Sequence, residues 1–197
     1  MTEWLLDQAL EKLASSLHSQ PLILAFSISS QQLQSSRFIA YIQKLIQKHQ
    51  VNIGQLEFTL LPQKDHAPPA TVEECIDSVN HIGARFGLKK YGENTLNLLD
   101  MYRNDIPVLH LSPSLVQVTL HNKQDVELLE TLIMVAHRWK RQVVAGGILT
   151  QENIALLRNL QCDQVKGSFI GEHLPYDSLL ECLSSYNTEV STSSPSP

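Results

Sequence analysis

Two hydrophobic rhythms alternate along this chain. Short continuous apolar runs are followed by longer stretches whose apolar residues return at helical spacing. The first stretch, Thr2 to Leu17, predicts an amphipathic helix with Trp4, Leu6, Leu10, Leu13 and Leu17 on one face. Pro21 then opens a strand, and the unbroken run Leu22 to Phe26 suits a strand buried on both faces. Ser35 or Ser36 can cap a second helix with Phe38, Ile39, Ile42, Leu45 and Ile46 turned inward. Ile53 to Leu61 reads as the next strand, and Pro62 to Ala70 as a loop. Thr71 and Glu74 have capping-box spacing, which starts a helix through Val72, Ile76, Val79 and Ile82 with Gly87 as its stop.

The pattern repeats in the second half. Lys89 and Lys90 stand at the end of a short strand before a turn at Gly92, and Pro107 to Leu111 is another strand. Asp125 to Trp139 is the longest amphipathic helix, with Val126, Leu129, Leu132, Ile133, Ala136 and Trp139 on one side. The stretch Val143 to Gly171 reads as strand, tight turn, helix, strand. Gly146 and Gly147 supply the turn, Thr150 the cap, and Ile154, Leu157 and Leu160 the apolar stripe; Val165 to Ile170 returns to strand. Tyr176 to Leu183 forms a last helix. Strands alternating with helices build parallel sheet, and in such folds chemistry sits at the carboxyl ends of strands.

Composition narrows the classes. Hydrophobic residues make up 43% and charged residues 18%, an ordinary globular balance. The net charge of −5, from 15 basic and 20 acidic residues, argues against a general nucleic-acid binder. The three cysteines, Cys75, Cys162 and Cys182, are scattered, which suits a reducing compartment without a disulfide framework. No apolar run reaches the roughly 18 residues of a membrane helix, and the first residues lack a basic n-region. The expected location is the cytoplasm. The reading is one domain over residues 1–185 and a polar Ser- and Pro-rich tail, 186–197, expected to be disordered.

Candidate chemistry is sparse. Glu57 lies within an apolar strand, where an acid is costly unless it is paired or bound to a cation. His110 inside PVLHL reads first as a packed, hydrogen-bonded core residue. Lys89 and Lys90 read first as a solvated pair, since an anion site needs convergent donors. There is no P-loop, GxGxxG, HExxH or GxSxG motif.

The order and spacing of seven segments resemble an EAL domain, the bacterial domain that hydrolyses cyclic di-GMP. FSISSQQL (Phe26 to Leu33) resembles VNLSxxQL, LEFTL (Leu56 to Leu60) resembles LEITE, and LKKYGENT (Leu88 to Thr95) resembles LDDFGTG. LHLSPSLV (Leu109 to Val116) resembles IKIDxSFV, VAGGILT (Val144 to Thr150) resembles AEGVET, and LQCDQVKGSFIGEHLP (Leu160 to Pro175) resembles LGCDxxQGYxFxxP. The opening WLLDQAL is similar to the helix before the family's third strand. The likeness runs from about Trp4 to Leu183.

The resemblance implies a TIM-like (β/α) barrel of EAL type, here incomplete with about six of the eight strands. It also implies two Mg²⁺ or Mn²⁺ ions held by carboxylates and one asparagine. Carried over position by position, the asparagine is Ser27. The glutamates of LEITE are Glu57 and Leu60, and the central aspartates are Lys89 and Lys90. The lysine and aspartate of IKID are His110 and Ser112, the glutamates of AEGVET are Gly146 and Leu149, and the glutamine of QGY is Lys166. The family's naming motif lies on an earlier strand, and the chain is expected to begin after it. Glu57 is thus a vestigial catalytic position, with no metal ligand set and no metal cofactor expected. Lys89, Lys90 and Lys166 are the candidates for an anion site. The expected function is a catalytically inactive regulatory or protein-interaction domain in bacterial signalling. The alternatives are a cyclic di-GMP receptor without hydrolysis and an active phosphodiesterase. A protein partner or self-association is expected, through the vacant strand edge or the segment Leu96 to Tyr102. Nucleic acid and membrane are not expected, and cyclic di-GMP is left open.

Overall fold

Among the described residues, apolar runs separated by capped helices produce six strands and the helices between them. The computed structural model describes residues 2–19, 22–60, 69–91, 102, 106–118 and 122–183. The strands are β1 (Leu24–Ile28), β2 (Leu56–Leu60), β3 (Arg85–Tyr91), β4 (Val108–Leu111), β5 (Gln142–Ala145) and β6 (Gln164–Val165). All pair in parallel and in sequence order, so β1 and β6 are the two edges of the sheet among the described residues. This is the incomplete, half-barrel form of a TIM-like fold that the strand count predicts.

Helices cover one face of the sheet. They are α1 (Thr2–Ser19), the short α2 (Ser30–Leu33), α3 (Ser36–His49), α4 (Pro69–Ile82), α5 (Pro113–Val118), α6 (Lys123–Arg138) and α7 (Gln151–Asn159), with a last helix over 176–183. Caps set their starts: Ser35 accepts from the Phe38 amide, Asn122 from Gln124, and Thr150 forms a capping box with Asn153. Leu6, Leu10, Phe38, Ile42, Val79, Leu129, Ile133 and Leu157 pack onto Leu56, Phe58, Phe86, Leu109 and Val143 in one core.

The structure corrects several expectations. Trp4 is 63% exposed while Leu6 and Leu10 are buried, so the inward face of α1 is narrower than the periodicity suggests. β1 is not buried on both faces. Ala25 and Ser27 are exposed, because an edge strand has one neighbour instead of two. Ile53–Gln55 is a 3-10 turn capped by Asn52, and β2 starts only at Leu56. Pro69 and Ala70 belong to α4, since proline is tolerated in a first helical turn. The stop of α4 is Gly83, at φ 84° with its amide on Val79 and Asn80 carbonyls; Gly87 lies inside β3. β6 covers only Gln164–Val165, and residues 168–170 turn instead, with the Ile170 and Gly171 amides on the Gly167 carbonyl. Residues 61–68, the Gly92 turn, the stretch 92–101 and the tail 186–197 lie outside the described residues, as do the side chains of Leu13, Leu17, Thr71, Val72, Cys75 and Lys90. Among the described residues no helix is long and apolar enough to cross a membrane.

Candidate strand-end site

Side chains alternate along a strand, so register decides which residues share the concave face. Ser27 stands beside Thr59, Glu57 beside Arg85, Thr59 beside Gly87 and Gly87 beside Val108. Further along, His110 stands beside Val144. The ladder between β3 and β4 is irregular. Leu88 faces Leu109 and Tyr91 faces Leu111, so two residues, Lys89 and Lys90, share the place opposite His110. A bulge of this kind re-aims side chains at a strand end.

A chain of contacts runs across this face. Lys166 Nζ lies 2.8 Å from His110 Nδ1, and His110 Nε2 lies 2.7 Å from Glu57 Oε1. An ammonium only donates, so with Lys166 charged Nδ1 accepts. Nε2 then carries the proton and donates to Glu57. Both Glu57 and His110 are 5% exposed, which makes this a buried, satisfied pair. Arg85 Nε stands 3.9 Å from the other Glu57 oxygen, and its Nη2 donates to Gln142 Oε1. Lys89 Nζ donates to Ser27 Oγ. Thr59 Oγ1 donates to the Phe26 carbonyl at 3.0 Å.

Two glycines make room for these groups. A Cβ on Gly87 would stand 2.9 Å from His110 Nε2, 3.0 Å from Thr59 Cγ2 and 3.1 Å from Glu57 Oε1. A Cβ on Gly146 would touch Lys166 Cε at 3.4 Å. Burial pushes the Lys89 ammonium below its ordinary range, against the pull of Glu57. Lys166 is also pushed down, first by burial and then by the charge of Lys89, again against Glu57.

Of the sequence candidates, the structure brings Glu57, His110, Lys89, Lys166 and Ser27 together on one face. Ser112 is buried beside this face, with its hydroxyl 3.0 Å from that of Ser114. Leu149 is 54% exposed, and Leu60 packs in the core on the other side of the sheet. Sequence reasoning misses Arg85 and Gly87. The alternation in Phe86–Gly87–Leu88 carries the signal for a strand, and Gly83, directly after Ile82, is the better helix stop. Among the described residues no group of three or more His, Cys, Asp or Glu stands close enough to hold a metal ion.

A half-barrel of parallel strands with a polar strand-end floor defines the structural class. The chain belongs to the EAL domain family, whose profile matches residues 1–173. It is 24% identical over 177 residues to the signalling protein YkoW of Bacillus subtilis, covering 88% of this chain and 22% of that protein. It is 20% identical over 183 residues to the bifunctional diguanylate cyclase/cyclic di-GMP phosphodiesterase MucR of Pseudomonas aeruginosa, covering 90% and 26%. The chain thus spans about a quarter or less of the length of these two relatives. The fold matches the EAL domain of Mycobacterium smegmatis DcpA with a TM-score of 0.82 at 15% identity, over 94% of this chain and 84% of that one. The MucR phosphodiesterase in complex with cyclic di-GMP matches at 0.80 and 17%, over 90% and 72%.

Proposed function

We propose that this domain is a non-catalytic, regulatory member of the EAL family that acts in bacterial signalling through contact with a protein. The observation that carries the reading is the charge on the strand-end floor. Phosphodiester hydrolysis by a pair of divalent ions needs several hard oxygen ligands to hold the ions and position water. Among the described residues the one carboxylate on this face, Glu57, is engaged by His110 and approached by Arg85, while Lys89 and Lys166 occupy the strand ends. Amines placed where cations would sit repel them. The described residues do not fit such a metal pair. Contact with a protein is supported by the open edges. β1 and β6 each have one strand neighbour among the described residues, and an edge strand is where another chain can add.

The test is incubation of the chain with cyclic di-GMP and Mg²⁺ or Mn²⁺. The expected result is intact cyclic di-GMP. Metal-dependent hydrolysis that disappears in Glu57→Ala would overturn the proposal.

A further inference from the structure

Lys166, His110 and Glu57 form a line that a regulatory role leaves without a task. Lys166 Nζ lies 2.8 Å from His110 Nδ1, and His110 Nε2 lies 2.7 Å from Glu57 Oε1. Both ring nitrogens are engaged, so the imidazole is fixed in orientation as well as in place. Glu57 and His110 are 5% exposed, whereas Lys166 is an exposed residue. The line therefore runs from a buried carboxylate, through a buried imidazole, to an amine on a residue that solvent reaches. In that order a carboxylate orients a base, and the base serves a nucleophile.

The lysine is held for this. Its amide donates to the Ala145 carbonyl at 2.9 Å, and its carbonyl accepts from the Ile148 amide at 3.2 Å. Its stem passes Gly146, where a Cβ would stand 3.4 Å from Lys166 Cε. Two other lysines stand differently. Lys48 lies 2.9 Å from Asp7 Oδ1, and its bond to that carboxylate holds the ammonium above its ordinary range. Lys89 donates to the hydroxyl of Ser27, which is no base. Burial, and then the charge of Lys89, push Lys166 the other way, towards the neutral amine. As a neutral amine Lys166 donates one N–H to His110 Nδ1, which turns its lone pair away from the ring.

We propose that Lys166 is a nucleophile set by His110 and Glu57, and that it takes up an acyl group from an activated donor of the acyl phosphate class. The ammonium first loses one proton to water. The amine nitrogen then attacks the acyl carbon. A C–N bond forms and the C–O bond to phosphate breaks. His110 Nδ1 takes the next proton from the nitrogen and returns it to the departing phosphate. Glu57 faces the imidazolium that exists in between. The products are an amide on Lys166 and inorganic phosphate. The amide is uncharged, so the step removes one positive charge from the strand-end floor. This inference goes beyond the non-catalytic reading and does not rest on it.

The experiment is incubation of the full chain with acetyl phosphate near neutral pH, with acetylation followed at each lysine by peptide mass spectrometry. Lys166 should react at least about tenfold faster than the exposed Lys123 and Lys140, since a placed general base contributes about 100-fold or more. His110→Gln should bring Lys166 down to the rate of those two. Glu57→Gln should slow it several-fold. Lys123 and Lys140 should keep their rates in both variants, and circular dichroism checks that both are folded. Should His110→Gln not fold, Glu57→Gln and the ranking of lysines in the parent decide the matter. The lead of the parent over the variants should shrink as pH rises towards 10.5, where an unaided lysine amine becomes free. A merely structural role gives a ratio that pH does not move. Acetylation of Lys166 no faster than that of Lys123 overturns the proposal. So does an undiminished rate at Lys166 in folded His110→Gln or Glu57→Gln, or a ratio constant with pH.

Discussion

On the helix-covered side of β2, Leu56, Phe58 and Leu60 are buried in a wholly apolar layer; on its other side, one residue away, stand Glu57 and Thr59. The same contrast holds in β4, where Leu109 and Leu111 face the helices while His110 faces Glu57 and Lys166. One face is held by area removed from water, which tolerates exchange of one apolar residue for another of similar volume. The other is held by specific pairs in a poorly solvated space, where every group depends on its partner. The difference shows how a family fold and the chemistry at its strand ends can part company: the two are written on alternate residues of the same strands.

The largest way to break that contrast is on the apolar face. Phe58→Ala should cost about 3–5 kcal/mol, because Phe58 is fully buried and its neighbours can only partly collapse. Chemical denaturation measures it. On the polar face, His110→Leu strands the Glu57 carboxylate and should cost about 2–3 kcal/mol. The double change Glu57→Leu with His110→Leu should cost less than the single one, since an apolar pair needs no partners. A double change as costly as the sum of the singles would mean the pair is not a unit. Gly87→Ala should cost about 1–2 kcal/mol through crowding against His110, Thr59 and Glu57. The smallest effect is on pH dependence. Lys89 and Lys166 lie below their ordinary value of 10.5 in the fold. Between those lowered values and 10.5 the unfolded chain binds more protons than the folded one, so stability rises with pH across that window. The gain is absent below the folded values. Lys89→Met and Lys166→Met should each flatten the rise in unfolding free energies measured through alkaline pH.

The helix faces are legible in the sequence because their periodicity is long and their caps are local: Ser35, Thr150 and the last helix fall where side-chain chemistry places them. The six-strand parallel order is legible from the alternation of runs. The burial of β1 is not, because a run of apolar residues does not say how many strands lie beside it. The strand-end residues Glu57, His110, Lys89 and Lys166 can be named from motif positions, but the contact between His110 and Lys166 spans 56 residues and only folding brings it about. The doubled place of Lys89 and Lys90 opposite His110 is invisible to a period of two, which assumes an even ladder. Arg85 and Gly87 are hidden by the same error, a helix end set four residues too late.

One contact lies outside this strand-by-strand logic. The hydroxyl of Tyr176 donates to the carbonyl of Lys12, and the Lys12 ammonium sits 5.5 Å from the centre of the Tyr176 ring, across 164 residues. Each strand meets the one just before it, so the sheet can zip up in order of sequence with short loops to close at every step. The tyrosine clasp joins the two ends of the helical layer, and its closure entropy is met only once everything between is in place. It should therefore form last and open first, giving the earliest amide exchange in α1 and making the seam between first and last helices the hinge at which the layer parts.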